Sequence, residues 1–238
     1  MSVSANNSNI KNNSDDLESL KVKRKLVFAR LWKQYRSRVD DARLIEQTID
    51  DMGDNWIEDH IALRSIPGEH TGSHVLQAAF ESIGYERMDD YFFDQKQLKA
   101  FWMSPVGADE AEESDVVSPK VFISEIIPEN FSPEFQNILE RCQKSAKPVR
   151  TVSDFKSGKV EPHEVADFLN GGICWPAISQ SEYSTLVKES EYAAWTAVFG
   201  NQPNHFTLSA HLMSQFDSIQ ELATFIQDKM QILSLIHI

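Results

Sequence analysis

The chain has 238 residues, 41% of them hydrophobic, which is enough to build one full-sized core. Its formal net charge of −13 repels phosphate backbones, so nucleic acid is excluded as an expected partner. No apolar run approaches the ~18 residues of a membrane helix, and two cysteines without CxxC spacing give no disulfide framework, so we expect a cytoplasmic protein without a membrane segment.

The N-terminal part of the chain predicts a tail followed by two helices. Residues 1–14 are rich in Ser and Asn, and we expect them to form a disordered tail. The first helix begins at the Ser14–Asp15–Asp16 cap, and a second helix lies near Ala42 to Met52. We expect residues 15–238 to form a single domain.

The next stretch, DHIALRSI at residues 59–66, predicts a strand with two unlike faces. Side chains alternate along a strand, so one face carries Ile61, Leu63 and Ser65, and the other carries His60, Ala62 and Arg64. The first of these faces fits a core. The second face carries a histidine and an arginine four residues apart, and we expect this row of side chains to serve the function of the protein.

The remaining elements alternate between strands and helices. We predict strands in YFFDQKQLKAFWMSP, PKVFISEIIP and HFTLSAHL, and helices in HTGSHVLQAAFESIGY, SPEFQNILERC, EPHEVADFLN, SEYAAWTAVF and SIQELATFIQDKM. This order predicts an α+β protein with a mixed sheet surrounded by helices.

Two of the predicted strands resemble each other. DHIALRS at residues 59–65 aligns with NHFTLSA at residues 204–210, and in both a helix begins 14 residues after the histidine. If the two units pair across a pseudo-twofold axis, His60 and His205 meet at the mouth of a shared barrel. Two converging neutral imidazoles predict a divalent metal site, open to iron, zinc, nickel or copper.

The segments DHIALR and NHFT, together with the strand KVFISEI, resemble the 2-oxoadipate dioxygenase/decarboxylase family over roughly residues 20 to 230. That family is related to the vicinal-oxygen-chelate enzymes. The resemblance implies a half-open β-barrel of two related units with surrounding helices. It also implies oxidative decarboxylation and hydroxylation of 2-oxoadipate to 2-hydroxyglutarate with dioxygen, in lysine degradation.

The resemblance also implies a set of site residues. His60 and His205 would bind a non-haem Fe(II), and Arg64 would hold a carboxylate of the 2-oxo acid substrate. A guanidinium fork suits a carboxylate, and four strand steps separate the Cα atoms of His60 and Arg64 by about 13 Å.

The third metal ligand of such a site is a carboxylate on a later strand. No acid follows Asp228, so we expect this ligand beyond Ile238. The ending QILSLIHI has no helix cap, turn residue or charge, which predicts a truncated domain whose last residues, LSLIHI, are not native. His237 would then have no role. Glu125 is expected to form a salt bridge or to lie at an exposed edge, and Asp59 to cap or solvate a loop.

Two other classes of protein fit the same pattern. One is a lyase or isomerase of the same superfamily that uses zinc, nickel or manganese. The other is a non-catalytic binding module that keeps the fold. A hydrolase with a GxSxG nucleophile, a Walker-loop protein and a Gly-rich dinucleotide-binding protein are all disfavoured, because their motifs are absent from the sequence.

Overall fold

A computed structural model describes residues 4–107 and 118–230, without the side chains of residues 4–15, 211, 229 and 230. The helices are α1 (Ser4–Arg36), α2 (Asp40–Asp51), α3 (Ser73–Glu81), α4 (Pro133–Ser145), α5 (Val152–Lys156), α6 (Pro162–Leu169), α7 (Gln180–Glu189), α8 (Glu191–Phe199) and α9 (Ile219–Met230). The strands are β1 (Glu58–Ser65), β2 (Tyr85–Phe93), β3 (Leu98–Pro105), β4 (Lys120–Ile126) and β5 (Pro203–Leu208). None of the described helices is both long and apolar enough to span a membrane.

The two ends of the chain bear on several predictions. The backbone is helical from Ser4, so α1 starts earlier than the cap predicted at Ser14. Residues 1–3 of the predicted tail lie outside the described residues, and no side chain before Asp16 is described. Residues 231–238, with the ending predicted to be non-native and His237, also lie outside. The disordered tail and the single domain over residues 15–238 stay predictions.

The described strands form one five-stranded mixed sheet in the order β2-β3-β4-β1-β5. Strands β1 and β4 are parallel, and the other neighbouring pairs are antiparallel. The predicted α+β class and mixed sheet are therefore confirmed. The sheet does not close, and β1 and β5 are direct neighbours within it. The predicted half-open barrel of two units is thus not seen among the described strands, and it stays a prediction.

One face of this sheet packs on helices and forms the main core. Ile61 and Leu63 on β1 are fully buried there, and so are Val121 and Ile123 on β4. Helices α1, α3 and α6 supply the other side of the same apolar cluster. Each such side chain, when fully buried, stabilises the fold by roughly 1.5–3 kcal/mol. Because the core takes up one face of β1, the opposite face is the one that can hold functional side chains.

Asp54 joins the segment before β1 to the segment after β5. Its side chain is buried, and its carboxylate accepts the backbone N–H groups of Asn55 (2.8 Å) and Gln215 (2.9 Å). Burial by itself raises the pKa of Asp54, but hydrogen bonds from residues 55, 214 and 215 together outweigh it, so the pKa lies below its ordinary value of 3.8. The ionised carboxylate therefore stabilises the fold above pH 3.8, and this contribution is lost as the pH falls through the lowered pKa.

We expect Asp54→Ala to lower the free energy of unfolding by about 1–3 kcal/mol at neutral pH, because buried N–H groups lose their acceptor. The difference from the native chain should shrink in acid, below the lowered pKa, where the native carboxyl is itself protonated. Urea unfolding at both pH values measures this. Asp51→Ala, at an exposed position on α2, is the control; an equal loss in both variants would contradict the assignment.

Candidate metal and carboxylate site

The pairing of β1 with β5 brings His60 and His205 together on the sheet face opposite the main core. Ala62 lies opposite His205 in the antiparallel register, so the two histidine side chains share one face. Their ring centroids are 5.8 Å apart, with the ring planes at 79°. The structure thus brings together the two histidines that the sequence singles out.

His60 is held by a short network of hydrogen bonds. The hydroxyl of Thr207 on β5 donates to the carbonyl oxygen of His60 (2.9 Å) and accepts its backbone N–H (3.1 Å). The single hydroxyl hydrogen is then used, although Nδ1 of His60 lies only 2.9 Å away. Nδ1 therefore donates its hydrogen to the Asp59 carboxylate, at 2.6 Å. This arrangement leaves the lone pair on Nε2, which is the atom that would bind a metal.

His205 has a similar neighbour, since its Nδ1 lies 3.0 Å from the side-chain oxygen of Asn204. An amide oxygen only accepts, so Nδ1 donates and Nε2 carries the lone pair. A pair of neutral imidazoles oriented in this way fits two positions of a divalent transition metal. Among the described residues, no group of three or more His, Cys, Asp or Glu side chains could hold a metal ion. The carboxylate ligand expected beyond Ile238 stays a prediction.

Arg64 lies in the same row as His60 on β1. Its guanidinium carbon is 5.0 Å from the ring centre of Tyr192 and 5.1 Å from that of Trp195, both on α8. Its Nη1 is buried and has no hydrogen-bond partner in the part of the chain that the structure describes, and the carboxylate of Glu191 lies 4.0 Å from it. Burial lowers the pKa of Arg64, and Tyr192 and Glu191 act in the opposite direction. The guanidinium stays charged at neutral pH. A bound anion that accepts a hydrogen bond from its buried N–H would therefore stabilise it.

Aromatic side chains extend this face away from the histidines. Phe122 on β4 pairs with Ala62, and Trp102 on β3 pairs with Phe122, so both rings lie on the histidine side of the sheet. The rings of Tyr91 and Phe93 on β2 lie 6.0 and 6.3 Å from that of Phe122. Sequence reasoning missed this group, although Phe122 alternates with the core residues of the strand KVFISEI.

Other polar residues have different roles from the candidate ligands. Glu125 projects from the opposite face, is 4% exposed, and forms a salt bridge with Lys99 at 2.7 Å. It also accepts the backbone N–H of Ser73 at 2.6 Å. The predicted salt bridge is therefore confirmed, whereas the alternative of an exposed edge is wrong because β4 lies inside the sheet.

Asp59 does not cap a loop but binds His60. His70 and His163 line a separate cavity of about 490 Å³.

We expect Thr207→Val to weaken the binding of Co(II) or Zn(II) about tenfold, because the side chain keeps its shape but no longer bonds to the backbone N–H and carbonyl of His60. Titration calorimetry, or the visible absorption of Co(II), measures this affinity. Thr224→Val on α9, whose hydroxyl donates to the Gln220 carbonyl oxygen of its own helix at 2.8 Å, is the matched control. Unchanged affinity in Thr207→Val would show that the hydroxyl does not position His60.

The comparisons with known proteins first define the class by its fold. A solved structure from Ralstonia eutropha, described as a glyoxalase-superfamily protein, superimposes with a TM-score of 0.68 over 90% of this chain and 67% of its own chain. The two sequences are 19% identical, so the likeness concerns the fold. The chain thus shares its fold with this solved structure.

The family follows from sequence. Residues 27–233 match the family model described as 2-oxoadipate dioxygenase/decarboxylase. The chain belongs to this family, as the resemblance in DHIALR and NHFT indicates.

Curated relatives from plants carry the same name. The 2-oxoadipate dioxygenase/decarboxylase of Oryza sativa, described as chloroplastic/amyloplastic, is 33% identical over 206 residues, which is 85% of this chain and 54% of the relative. The chloroplastic protein of Arabidopsis thaliana is 31% identical over 72% of this chain and 44% of the relative. The chain therefore spans about half the length of the curated relatives it matches.

A solved structure gives the same family likeness in three dimensions. The hydroxyglutarate synthase of Oryza sativa in complex with 2-oxoadipate is 30% identical, with a TM-score of 0.73. The superposition covers 89% of this chain and 65% of the rice chain.

Proposed function

We propose that the chain serves the Fe(II)-dependent oxidative decarboxylation and hydroxylation of 2-oxoadipate to 2-hydroxyglutarate, a step of lysine breakdown. One observation carries the proposal: a single sheet face holds two imidazoles and a guanidinium whose buried Nη1 has no hydrogen-bond partner among the described residues. A rice relative has been solved with 2-oxoadipate, which supports this choice of substrate.

His60 and His205 would hold the metal through their Nε2 atoms. When bound, Fe(II) would supply open positions for the 2-oxo acid and for dioxygen. Asp59 and Thr207 keep the ring of His60 in one tautomer and orientation, so the site needs little rearrangement to bind the ion. The predicted carboxylate beyond Ile238 would complete the ligand set.

Arg64 would bind the carboxylate at the far end of the substrate. The four strand steps between His60 and Arg64 place their Cα atoms about 13 Å apart, and the two side chains shorten this gap. Ala62 lies between them in the same row and contributes only a methyl group, so it adds little bulk between the imidazoles and the guanidinium. A dicarboxylate with its 2-oxo end toward the histidines fits this order of groups.

The aromatic rings beside the row of His60, Ala62 and Arg64 would exclude water from the aliphatic part of the substrate. Phe122 and Trp102 are partly buried on the same face; Phe122 lies next to Ala62, and Trp102 lies next to Phe122 one strand further away. Apolar walls of this kind strengthen the attraction between Arg64 and a carboxylate, because they lower the local dielectric. The substrate and dioxygen are the proposed partners. A cytoplasmic location also remains part of the proposal, whereas the two plant relatives are described as plastid proteins.

The test uses protein expressed from its complete coding sequence, loaded anaerobically with Fe(II). We expect 2-oxoadipate to start oxygen consumption with release of carbon dioxide. His60→Ala should abolish turnover because a metal ligand is lost. Arg64→Ala should raise the KM for 2-oxoadipate about 100-fold, because a buried charge pair with the substrate is removed. An oxygen electrode and carbon dioxide trapping measure both effects.

His163→Ala, at an exposed histidine of α6, is the matched control and should keep normal turnover. Iron binding without turnover of any 2-oxo acid would contradict the proposed substrate. Full activity with Zn(II) would favour the lyase or isomerase class, and failure to bind any divalent metal would leave the non-catalytic module.

A further inference from the structure

The guanidinium of Arg64 rests against two aromatic rings that come from one helix. Tyr192 and Trp195 are three positions apart on α8, so their side chains are neighbours on the helix surface. The guanidinium carbon is almost equally distant from both ring centres, at 5.0 and 5.1 Å. A cation over aromatic faces at this range is attracted by the negative charge of the ring faces, most strongly at desolvated sites. We call the two rings the aromatic wall.

The aromatic wall is tied to the sheet at the residues that flank Arg64 on β1 and β4. The register between β1 and β5 ends at the pair Leu63 and Pro203, and proline has no N–H to continue it. Just beyond this pair, the backbone N–H of Ser65 donates to the hydroxyl oxygen of Tyr192 at 3.1 Å. The same hydroxyl lies 3.0 Å from the Oγ of Ser124, the residue that pairs with Arg64 on β4. The Tyr192 hydroxyl therefore bonds to β1 just past the end of β5 and fixes α8 against the sheet.

The charged neighbour of Arg64 is a weak competitor for its N–H groups. Glu191 approaches Nη1 only to 4.0 Å, beyond hydrogen-bond range, and its side chain is 80% exposed, whereas that of Arg64 is 21% exposed. A solvated carboxylate at this distance contributes little. The wall, and not an ion pair, therefore holds the guanidinium in position among the described residues.

We propose that Tyr192 and Trp195 are positioning residues that hold the guanidinium of Arg64 at a fixed distance from His60 and His205, and so determine the length of the dicarboxylate that is accepted. This inference rests on the proposed function, because it assumes that Arg64 binds the far carboxylate. An arginine side chain with free rotamers could follow ligands of several lengths. One whose guanidinium is held close to two rings presents its N–H groups at one place, so a ligand shorter by one methylene leaves a gap.

The test compares 2-oxoadipate with 2-oxoglutarate, which is one methylene shorter, as ligands of the Zn(II)-loaded protein. Isothermal titration calorimetry gives both affinities without turnover. We expect the native protein to prefer 2-oxoadipate. Trp195→Leu should weaken 2-oxoadipate binding about tenfold and bring the two affinities closer together, whereas Trp195→Phe, which restores a ring, should stay within about threefold of the native value. Tyr183→Leu, an exposed aromatic of α7, is the matched control.

A second readout follows Arg64 without any ligand. In the native protein, the Nε–H signal of Arg64 should be shifted by the aromatic ring currents and should exchange slowly with solvent. Trp195→Leu should reduce the ring-current shift and speed the exchange, because only the ring of Tyr192 remains, and thermal unfolding should show that the variant is folded. A native Arg64 signal that is unshifted and mobile would overturn the proposal, whether or not a ligand binds.

The outcomes separate this inference from the proposed function. If Arg64→Ala loses 2-oxoadipate binding while Trp195→Leu keeps both the affinity and the preference, the wall has no positioning role and the carboxylate role of Arg64 stands. If Arg64→Ala binds 2-oxoadipate as well as the native protein does, the carboxylate role falls, and the wall's role in selectivity falls with it.

Discussion

The pairing of β1 with β5 is the interaction on which the rest of the site depends. His60 and Thr207 are 147 positions apart in sequence, yet two backbone-to-hydroxyl hydrogen bonds join them. Closing so long a loop is entropically costly, and the main-chain ladder together with the packing of the partly buried Phe206 against the core that contains Ile61 offsets that cost. Without this pairing His60 and His205 would not lie side by side, and the candidate metal site would not exist.

The burial of one face of β1 sets the chemistry of the other. Because Ile61 and Leu63 must face the helices, the alternation of the strand sends His60 and Arg64 to the opposite side. A slip of one residue would bury a histidine and an arginine in an apolar core, so the register is strongly specified. The row of functional side chains is thus positioned by hydrophobic packing on the far side of the sheet.

The supporting contacts of the site show the limits of sequence reasoning. Asp59, Thr207 and Trp195 each contact a candidate site residue, but none carries a pattern that distinguishes it from an ordinary polar or aromatic position. Arg24 gives a further example, since it lies in a basic segment that resembles a solvated face. It is 2% exposed and donates to the carbonyl oxygen of Gly84 at 3.1 Å. Such roles arise from contacts between distant segments, which local spacing does not encode.

The sequence by itself determined the α+β class, the strand identity of DHIALR and NHFT, and the face on which each histidine lies. These features follow from local alternation and from the apolar periodicity of single elements. Only the tertiary structure decided that the two strands are neighbours in one open sheet and that Arg64 lies against α8. Strand order and helix docking depend on how separate elements share buried surface, and that choice is made by the whole chain at once.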